Sequence, residues 1–255
     1  MEVICHRGAA AYHPGNSLAS FEAALAMGCD RIECDLHVTA DRVLVLAHDS
    51  SVRLDDGNEQ PIRALPASTV CSPATGIITF DELAARVGSV PLMIDIKQRG
   101  YETETIAAIQ EHQLHRTSSV SSTHASTLHQ IRAAFPTMRA GLSTGHWVST
   151  VAFRGGHEVT KGLLRLTVPL PLIVALRLTG ATEVNLQFEV ATRPLVRMLH
   201  MGGWRINLWT VNHRTAIERA IDIGVDGIIS NRPDLVAKIV GSTIHAEASA
   251  ELPVI

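Results

Sequence analysis

Short apolar runs alternate along this chain with longer stretches in which apolar residues recur every three or four positions. The runs predict β-strands over residues 2 to 6, 31 to 37, 91 to 97, 118 to 122, 138 to 143, 183 to 187, 205 to 211 and 226 to 230. The stretches predict helices over 18 to 28, 80 to 87, 102 to 113, 124 to 134, 190 to 201, 213 to 223 and 232 to 240. Ser17 can cap the first of these, whose Leu18, Phe21 and Leu25 face inward, and Gly28 ends it. Thr79 with Glu82 reads as a capping box at the start of the next. Eight strands with intervening helices predict an α/β fold, a closed parallel TIM (β/α)8 barrel.

Two segments depart from this rhythm. The apolar run 43 to 48 follows Thr39-Ala40-Asp41-Arg42 too closely for a helical crossover, which normally takes a dozen or more residues. Residues 33 to 48 are therefore expected to double back as a β-hairpin after strand 2, above the barrel rim, returning His48 to the level of Glu33 and Asp35. Residues 145 to 180 form a long connection. Part of it, about 171 to 179, is expected to be a short buried helix on the barrel. The alternative reading makes 146 to 170 a lid on the catalytic face that accepts lipid tails. Pro169, Pro171, Arg165 and Arg177 break up its apolar residues, leaving a run far below the ~20 residues that a membrane span requires.

The chemistry-bearing residues fall where the strands end. Glu33 and Asp35 lie two apart in Arg31-Ile32-Glu33-Cys34-Asp35-Leu36, so both carboxylates share one strand face. Asp95 and Lys97 repeat that spacing in the next long run. Like charges so arranged are tolerable around a hard cation, and oxygen ligands of this kind suit one Mg²⁺ or Ca²⁺ held by Glu33, Asp35 and Asp95. Arg7 and Lys97 supply positive charge for a phosphate. His6 and His48 are the natural proton donor and acceptor near neutral pH. In barrels of this type the site lies at the C-terminal ends of the strands, and His6, Glu33, Asp35, Asp95, Lys97 and Trp209 all fall at or near those ends. Trp209 suits core packing and pocket wall equally. Asn16, Gln187 and Asn212 could reach the pocket, although such residues at strand ends most often satisfy loop backbone. His37 shares the face of Glu33 and Asp35 but is expected in a solvated hairpin position. His124, His146 and His157 follow rim-facing strand ends.

Composition adds bounds. A chain of 255 residues with 46% hydrophobic and 18% charged residues suits one barrel domain over residues 1 to 240, with 241 to 255 a loose C-terminal extension. A net charge of -3 carries no polybasic signature, which argues against nucleic acid and against electrostatic attachment to anionic membranes. Cys5, Cys29, Cys34 and Cys71 lack C-x-x-C spacing and read as buried, reduced thiols. Because Met1-Glu2-Val3-Ile4-Cys5-His6 is already strand, no leader is expected and a cytoplasmic location follows. The oligomeric state is not fixed by any of these features.

His6-Arg7-Gly8 through Pro14-Gly15-Asn16-Ser17, then Glu33-Cys34-Asp35-Leu36 and Val45-Leu46-Ala47-His48-Asp49, resemble the glycerophosphodiester phosphodiesterase family. Leu208-Trp209-Thr210-Val211-Asn212 and the stretch from Gly224 to Asp234 match its closing motifs. The resemblance implies a barrel of the phospholipase C-like phosphodiesterase type. It implies metal-dependent hydrolysis of glycerophosphodiesters to glycerol 3-phosphate and an alcohol, with His6 and His48 as acid and base. Arg7, Lys97, Asn16 and Trp209 would then meet the phosphate and substrate. Two positions depart from the family: Gly15 stands where it usually has Glu, and Asp95-x-Lys97 replaces Glu-x-Lys. Alternatives that share the same centre are a lysophospholipase D-like enzyme acting on lysolipids, a lyase that stops at a cyclic phosphate, and a non-catalytic phosphodiester-binding module.

Overall fold

The computed structural model describes residues 1–145 and 169–241. Eight parallel strands close into a barrel: β1 (Glu2–Cys5), β2 (Arg31–Val38), β6 (Leu92–Ile96), β7 (Ser119–Ser122), β8 (Arg139–Ser143), β9 (Glu183–Gln187), β10 (Arg205–Trp209) and β11 (Gly227–Ser230). The ring shuts because β1 pairs with β11 on one side and with β2 on the other, with Cys5 opposite Ile32. Each barrel strand lies within two residues of its expected bounds.

The two helices with named boundary signals begin or end on them. Ser17 Oγ accepts the Ser20 N–H at 3.2 Å, and Gly28 closes that helix with φ of +76°, a left-handed conformation that costs a residue without Cβ little. Thr79 and Glu82 form the reciprocal capping box ahead of helix Phe80–Val87. The short helices wrap the barrel, and the main core lies between them and the outward faces of the strands, including Val3, Ile32, Leu92, Val184 and Ile228.

The expected hairpin is present. Strand β3 (Leu44–Leu46) runs antiparallel to the upper half of β2, pairing Leu36 with Leu46 and Val38 with Leu44. Beyond it stands a two-stranded sheet of β4 (Ser51–Arg53) and β5 (Glu59–Pro61), which was not expected. A small separate core of Val45, Ala47, Val52, Ile62 and Val70 fixes this addition beside the barrel mouth.

The inside of the barrel is mixed. Ile4, Met93 and Ile229 form an apolar cluster backing Trp209. Below it, at the N-terminal ends of the strands, Arg31 is fully enclosed and pairs with Glu183 at 3.1 Å and with Glu2, while donating to Ser119 Oγ at 2.9 Å. Arg139 bridges the same two glutamates, at 3.1 and 3.0 Å. A guanidinium removed from water is tolerated only when such partners surround it, so this network closes the lower end of the barrel.

Helix Pro169–Thr179 buries Leu172 and Leu176 against the barrel, as expected of that stretch. The lid reading concerns residues that lie almost wholly outside the described ones, as does the expected C-terminal extension beyond Gly241. Among the described residues, no helix is long and apolar enough to cross a membrane. The cysteine expectation needs correction. Cys5 and Cys29 form a disulfide, their Cα atoms 6.1 Å apart, because closure of β1 against β2 brings the residue after the first helix up to the end of β1. Cys34 is free and buried, whereas Cys71 is free and only half-buried.

Candidate active site

The three carboxylates predicted as ligands converge. Glu33 and Asp35 project from β2 on the face opposite Cys34, and the β2–β6 register sets Asp35 directly beside Asp95. One oxygen from each of Glu33, Asp35 and Asp95 lies within 4.8 Å of the others. Two oxygens on opposite sides of a hard cation stand about 4–5 Å apart, twice the usual metal–oxygen distance, so the donor set fits Mg²⁺ or Ca²⁺ in chemistry and size. Each ligand is oriented from behind. The Arg7 N–H donates to Glu33 Oε2 at 2.8 Å, with Arg7 itself at φ of +53°. Asn16 Nδ2 donates to Asp35 Oδ2 at 2.9 Å, and its Oδ1 accepts the Asp35 N–H at 3.1 Å. Ser121 Oγ donates to Asp95 Oδ1 at 2.6 Å.

Lys97 joins two of the carboxylates, its Nζ 2.6 Å from Asp35 Oδ1 and 2.6 Å from Asp95 Oδ2. Three acids against one ammonium leave surplus negative charge in a confined space, and this charge and burial displace the pKa of the groups in different directions. Burial, and then the neighbouring Asp35 charge, push Glu33 well above the usual carboxylate range. Burial would raise Asp35 as well, but Lys97, with His6 and Asn16, holds it well below that range. Lys97 stays charged despite its burial because Asp95, Asp35 and Glu33 surround it.

His6 stands at the end of β1, its Nε2 4.0 Å from Glu33 Oε2. Its Nδ1 lies 2.6 Å from Asn231 Oδ1, an acceptor that assigns the N–H to Nδ1 and leaves the Nε2 lone pair toward the site. Burial first, then the Arg7 charge, bring its pKa down to about 4, so the ring is neutral at physiological pH. His48 is exposed on the hairpin, and its Nδ1 lies 2.8 Å from the Asp49 carboxylate. Between them opens a cavity of about 470 Å³, lined by His6, Arg7, Glu33, His48, Asp95, Lys97 and Trp209 among others. That volume suits a small molecule.

Of the expected residues, His6, His48, Arg7, Lys97, Trp209, Glu33 and Asp95 border the cavity, and Asp35 lies just beneath its surface. Asn16 does not border it; both ends of its amide are committed to Asp35, which makes it a support for that carboxylate. Trp209 serves in both ways weighed for it: its indole N–H donates to Asn185 O at 3.1 Å while the ring covers the Ile4–Met93–Ile229 cluster and walls the cavity. Asn212 satisfies loop backbone, accepting the Asn231 N–H at 2.9 Å. Gln187 and His124 stand away from the cavity, and His146 and His157 lie outside the described residues. His37 is the correction here: it is 3% exposed and lines the cavity, because β3 and the loop carrying His48 fold over it. Asn231, Ser121 and Asn185 were not singled out. Asn231 follows β11 inside the motif stretch Gly224 to Asp234, which was its signal, whereas Ser121 and Asn185 offer only a place in a barrel strand, which many residues share.

The sequence model of a family described as "Glycerophosphoryl diester phosphodiesterase family" matches residues 6–235. A glycerophosphodiester phosphodiesterase of Caldanaerobacter subterraneus is 25% identical over 256 residues, covering 93% of this chain and 97% of that protein. The human lysophospholipase D GDPD3 is 21% identical over 264 residues, covering 89% of this chain and 81% of that one. Among solved structures, a phosphodiesterase from Oleispira antarctica in complex with its product sn-glycerol-3-phosphate superposes with a TM-score of 0.77 at 20% identity, covering 95% of this chain and 97% of that chain.

Proposed function

Since this chain belongs to the glycerophosphoryl diester phosphodiesterase family, we propose that it hydrolyses glycerophosphodiesters to glycerol 3-phosphate and an alcohol in the cavity at the C-terminal ends of its barrel strands. The observation that carries this reading is the meeting of Glu33, Asp35 and Asp95 within 4.8 Å beside a neutral, oriented His6. Glu33, Asp35 and Asp95 would hold a divalent cation, which supplies Lewis-acid stabilisation of the charge developing on phosphate oxygens.

The chain's own groups account for the rest. Arg7 and Lys97 place positive charge beside the nonbridging oxygens, where preorganised charge stabilises a phosphorane-like transition state. His6 Nε2 accepts the proton of the attacking hydroxyl while its Nδ1–H stays on Asn231, which fixes the ring's orientation and tautomer. The oxygen attacks phosphorus, the bond to the departing alkoxide breaks, and His48, held by Asp49, returns a proton to that alkoxide. When the attacking hydroxyl is water the monoester forms directly; when it is the substrate's own glycerol hydroxyl, a cyclic phosphate forms first and is then hydrolysed. Trp209 supplies an apolar wall for the carbon skeleton.

Purified protein incubated with glycerophosphocholine, glycerophosphoethanolamine and lysophosphatidylcholine, with chelator and then with Mg²⁺ or Ca²⁺ restored, tests the reading. Glycerol 3-phosphate from the first two is the expected product. No turnover of any diester under any divalent ion would overturn it in favour of a binding module.

A further inference from the structure

Arg139, Gly141 and Ser143 of β8 face the barrel interior, as do Glu183 and Asn185 of β9 and Asn207 of β10, while Ala140, Leu142, Val184 and Leu208 between them face the outer core. The polar members form one hydrogen-bonded ladder. Glu183, ion-paired with Arg31, accepts one amide hydrogen of Asn207 at 3.1 Å. A carboxylate only accepts, so this contact fixes which way the Asn207 amide is turned, and its other hydrogen goes to Asn185 Oδ1 at 3.0 Å. Asn185 Nδ2 is thereby aimed at Ser143 Oγ, to which it donates at 3.3 Å. Gly141 leaves room for that amide, since a Cβ there would stand 3.0 Å from Nδ2. An Oγ that accepts from Asn185 keeps its own O–H as a donor, and no hydrogen bond among the described residues spends it. Ser143 is half-buried and lines the cavity, with Asn185 buried beside it.

The place of this donor matches one part of a phosphodiester. β9 stands opposite β2 in the ring, four strands away in either direction, so Ser143 and Asn185 face the carboxylates from the far wall. In the transition state the attacking and departing oxygens lie in line, and three oxygens lie around the phosphorus between them. Two of those are nonbridging and turn to Arg7 and Lys97. The third carries the retained glycerol and so points away, toward β8 and β9. We propose that Ser143 is a substrate-binding residue whose O–H donates to the terminal hydroxyl of that glycerol, with Asn185 and Asn207 as the positioning residues that aim it. The pocket accordingly favours diesters in which the terminal glycerol hydroxyl is present and unacylated. This rests on the hydrolytic reading of the cavity and adds to it the part of the substrate that the far wall reads. A site that keeps a hydrogen bond for a substrate hydroxyl rejects the analogue lacking it, because its own group is then left unpaired.

The test compares kcat/KM for glycerophosphoethanolamine with that for 2-aminoethyl 2-hydroxypropyl phosphate, which keeps the hydroxyl beside the phosphate ester and lacks only the terminal one. Both are measured in the wild-type protein and in Ser143→Ala, Ser143→Thr and Asn185→Leu. A ratio between two substrates on one preparation does not depend on the fraction of folded enzyme, so a partly unfolded variant still reports. Wild type is expected to prefer the glycerol diester by about tenfold. Ser143→Ala should lower that ratio by about fivefold or more, mainly through KM, and Ser143→Thr, which keeps the hydroxyl, should retain most of it. Asn185→Leu, which removes the aim but not the donor, should lower it by about threefold. A ratio unchanged in Ser143→Ala, equally low in Ser143→Thr, or near one in an active wild type overturns the role of Ser143 and leaves the hydrolytic reading standing. A ratio unchanged in Asn185→Leu overturns the positioning of Ser143 by the ladder. A wild type inactive on both diesters overturns the hydrolytic reading as well.

Discussion

Lys97 places its ammonium 2.6 Å from Asp35 Oδ1, and Asp35 is fully buried. The carboxylate has other partners in Asn16, yet Lys97 carries the charge nearest to it. Removing one partner of a buried pair leaves an uncompensated charge, which commonly costs about 3 kcal/mol or more. Lys97→Met should therefore lower the stability of the metal-free protein by about 3 kcal/mol. Saturating Mg²⁺ or Ca²⁺ should recover part of the loss, since a cation on the three carboxylates replaces the missing charge. Urea denaturation with chelator and with each ion measures both effects, and a loss indifferent to the ions would contradict a metal centre at these residues.

The acid–base roles predict a division between turnover and binding. Replacing His6 or His48 by Ala should lower kcat by about 10²- to 10⁴-fold while KM changes little. Asn231→Ala, which frees the His6 ring without removing it, should give a smaller fall of about tenfold in kcat. Steady-state kinetics on a single glycerophosphodiester decide it, and a His6→Ala enzyme within twofold of wild type removes His6 from the mechanism.

Charge-neutral replacements at the carboxylates should weaken a cation more than they weaken the fold. Asp95→Asn keeps the size of the side chain and its contact with Ser121, so the melting temperature in chelator should stay near that of wild type. Added divalent ion raises the melting temperature by mass action when it binds only the folded state. That rise, clear in wild type, should be small in Asp95→Asn, and equal rises in the two proteins would show that the ion binds elsewhere.

Gly15 lies against Arg7: a Cβ placed on it would stand 3.1 Å from Arg7 Cβ and 3.4 Å from Nε. That Nε is buried and lacks a partner among the described residues. A carboxylate at position 15 could supply one. Gly15→Glu is expected to raise the melting temperature by a few degrees, equivalent to about 1 kcal/mol, relative to Gly15→Leu, which crowds Arg7 without pairing it. Differential scanning calorimetry of the pair reads the difference; equal melting temperatures would mean that Arg7 gains nothing from a neighbouring acid.

The plug at the lower end of the barrel gives a pH signature. Burial would raise the pKa of Glu2, but Arg31, Arg139 and Arg205 outweigh it and hold Glu2 below its usual 4.5. As pH falls through 4.5 the unfolded chain takes up a proton that folded Glu2 still refuses. Its contribution is thus complete above pH 4.5 and is lost as pH falls through the lowered folded value. The stability gap between wild type and Glu2→Gln should be widest at neutral pH and should shrink in acid. Urea denaturation at pH 7 and about pH 3 tests this, and a gap constant with pH would contradict the ion-pair network.

Much of this molecule is written in local pattern. The period of apolar positions placed eight strands to within two residues each, and Thr79 with Glu82 announced a capping box that is present. The short Thr39-Ala40-Asp41-Arg42 connection forced a hairpin, and the i, i+2 spacing put Glu33 and Asp35 on one face. These succeed because backbone geometry converts spacing directly into direction. The β4–β5 sheet escaped notice because Glu59-Gln60-Pro61 is exposed and has no apolar alternation to reveal it.

What tertiary structure alone decided are the meetings between distant strands. Asn231 reaches His6 across 225 positions, Glu183 reaches Arg31 across 152, and Cys29 meets Cys5 only when β1 closes on β2. His37 reads as a solvated hairpin residue until the hairpin folds back and encloses it. Periodicity states which way a side chain points from its own strand. Which side chain stands opposite is set by the closure and stagger of the whole barrel, to which every strand contributes and which no single segment encodes.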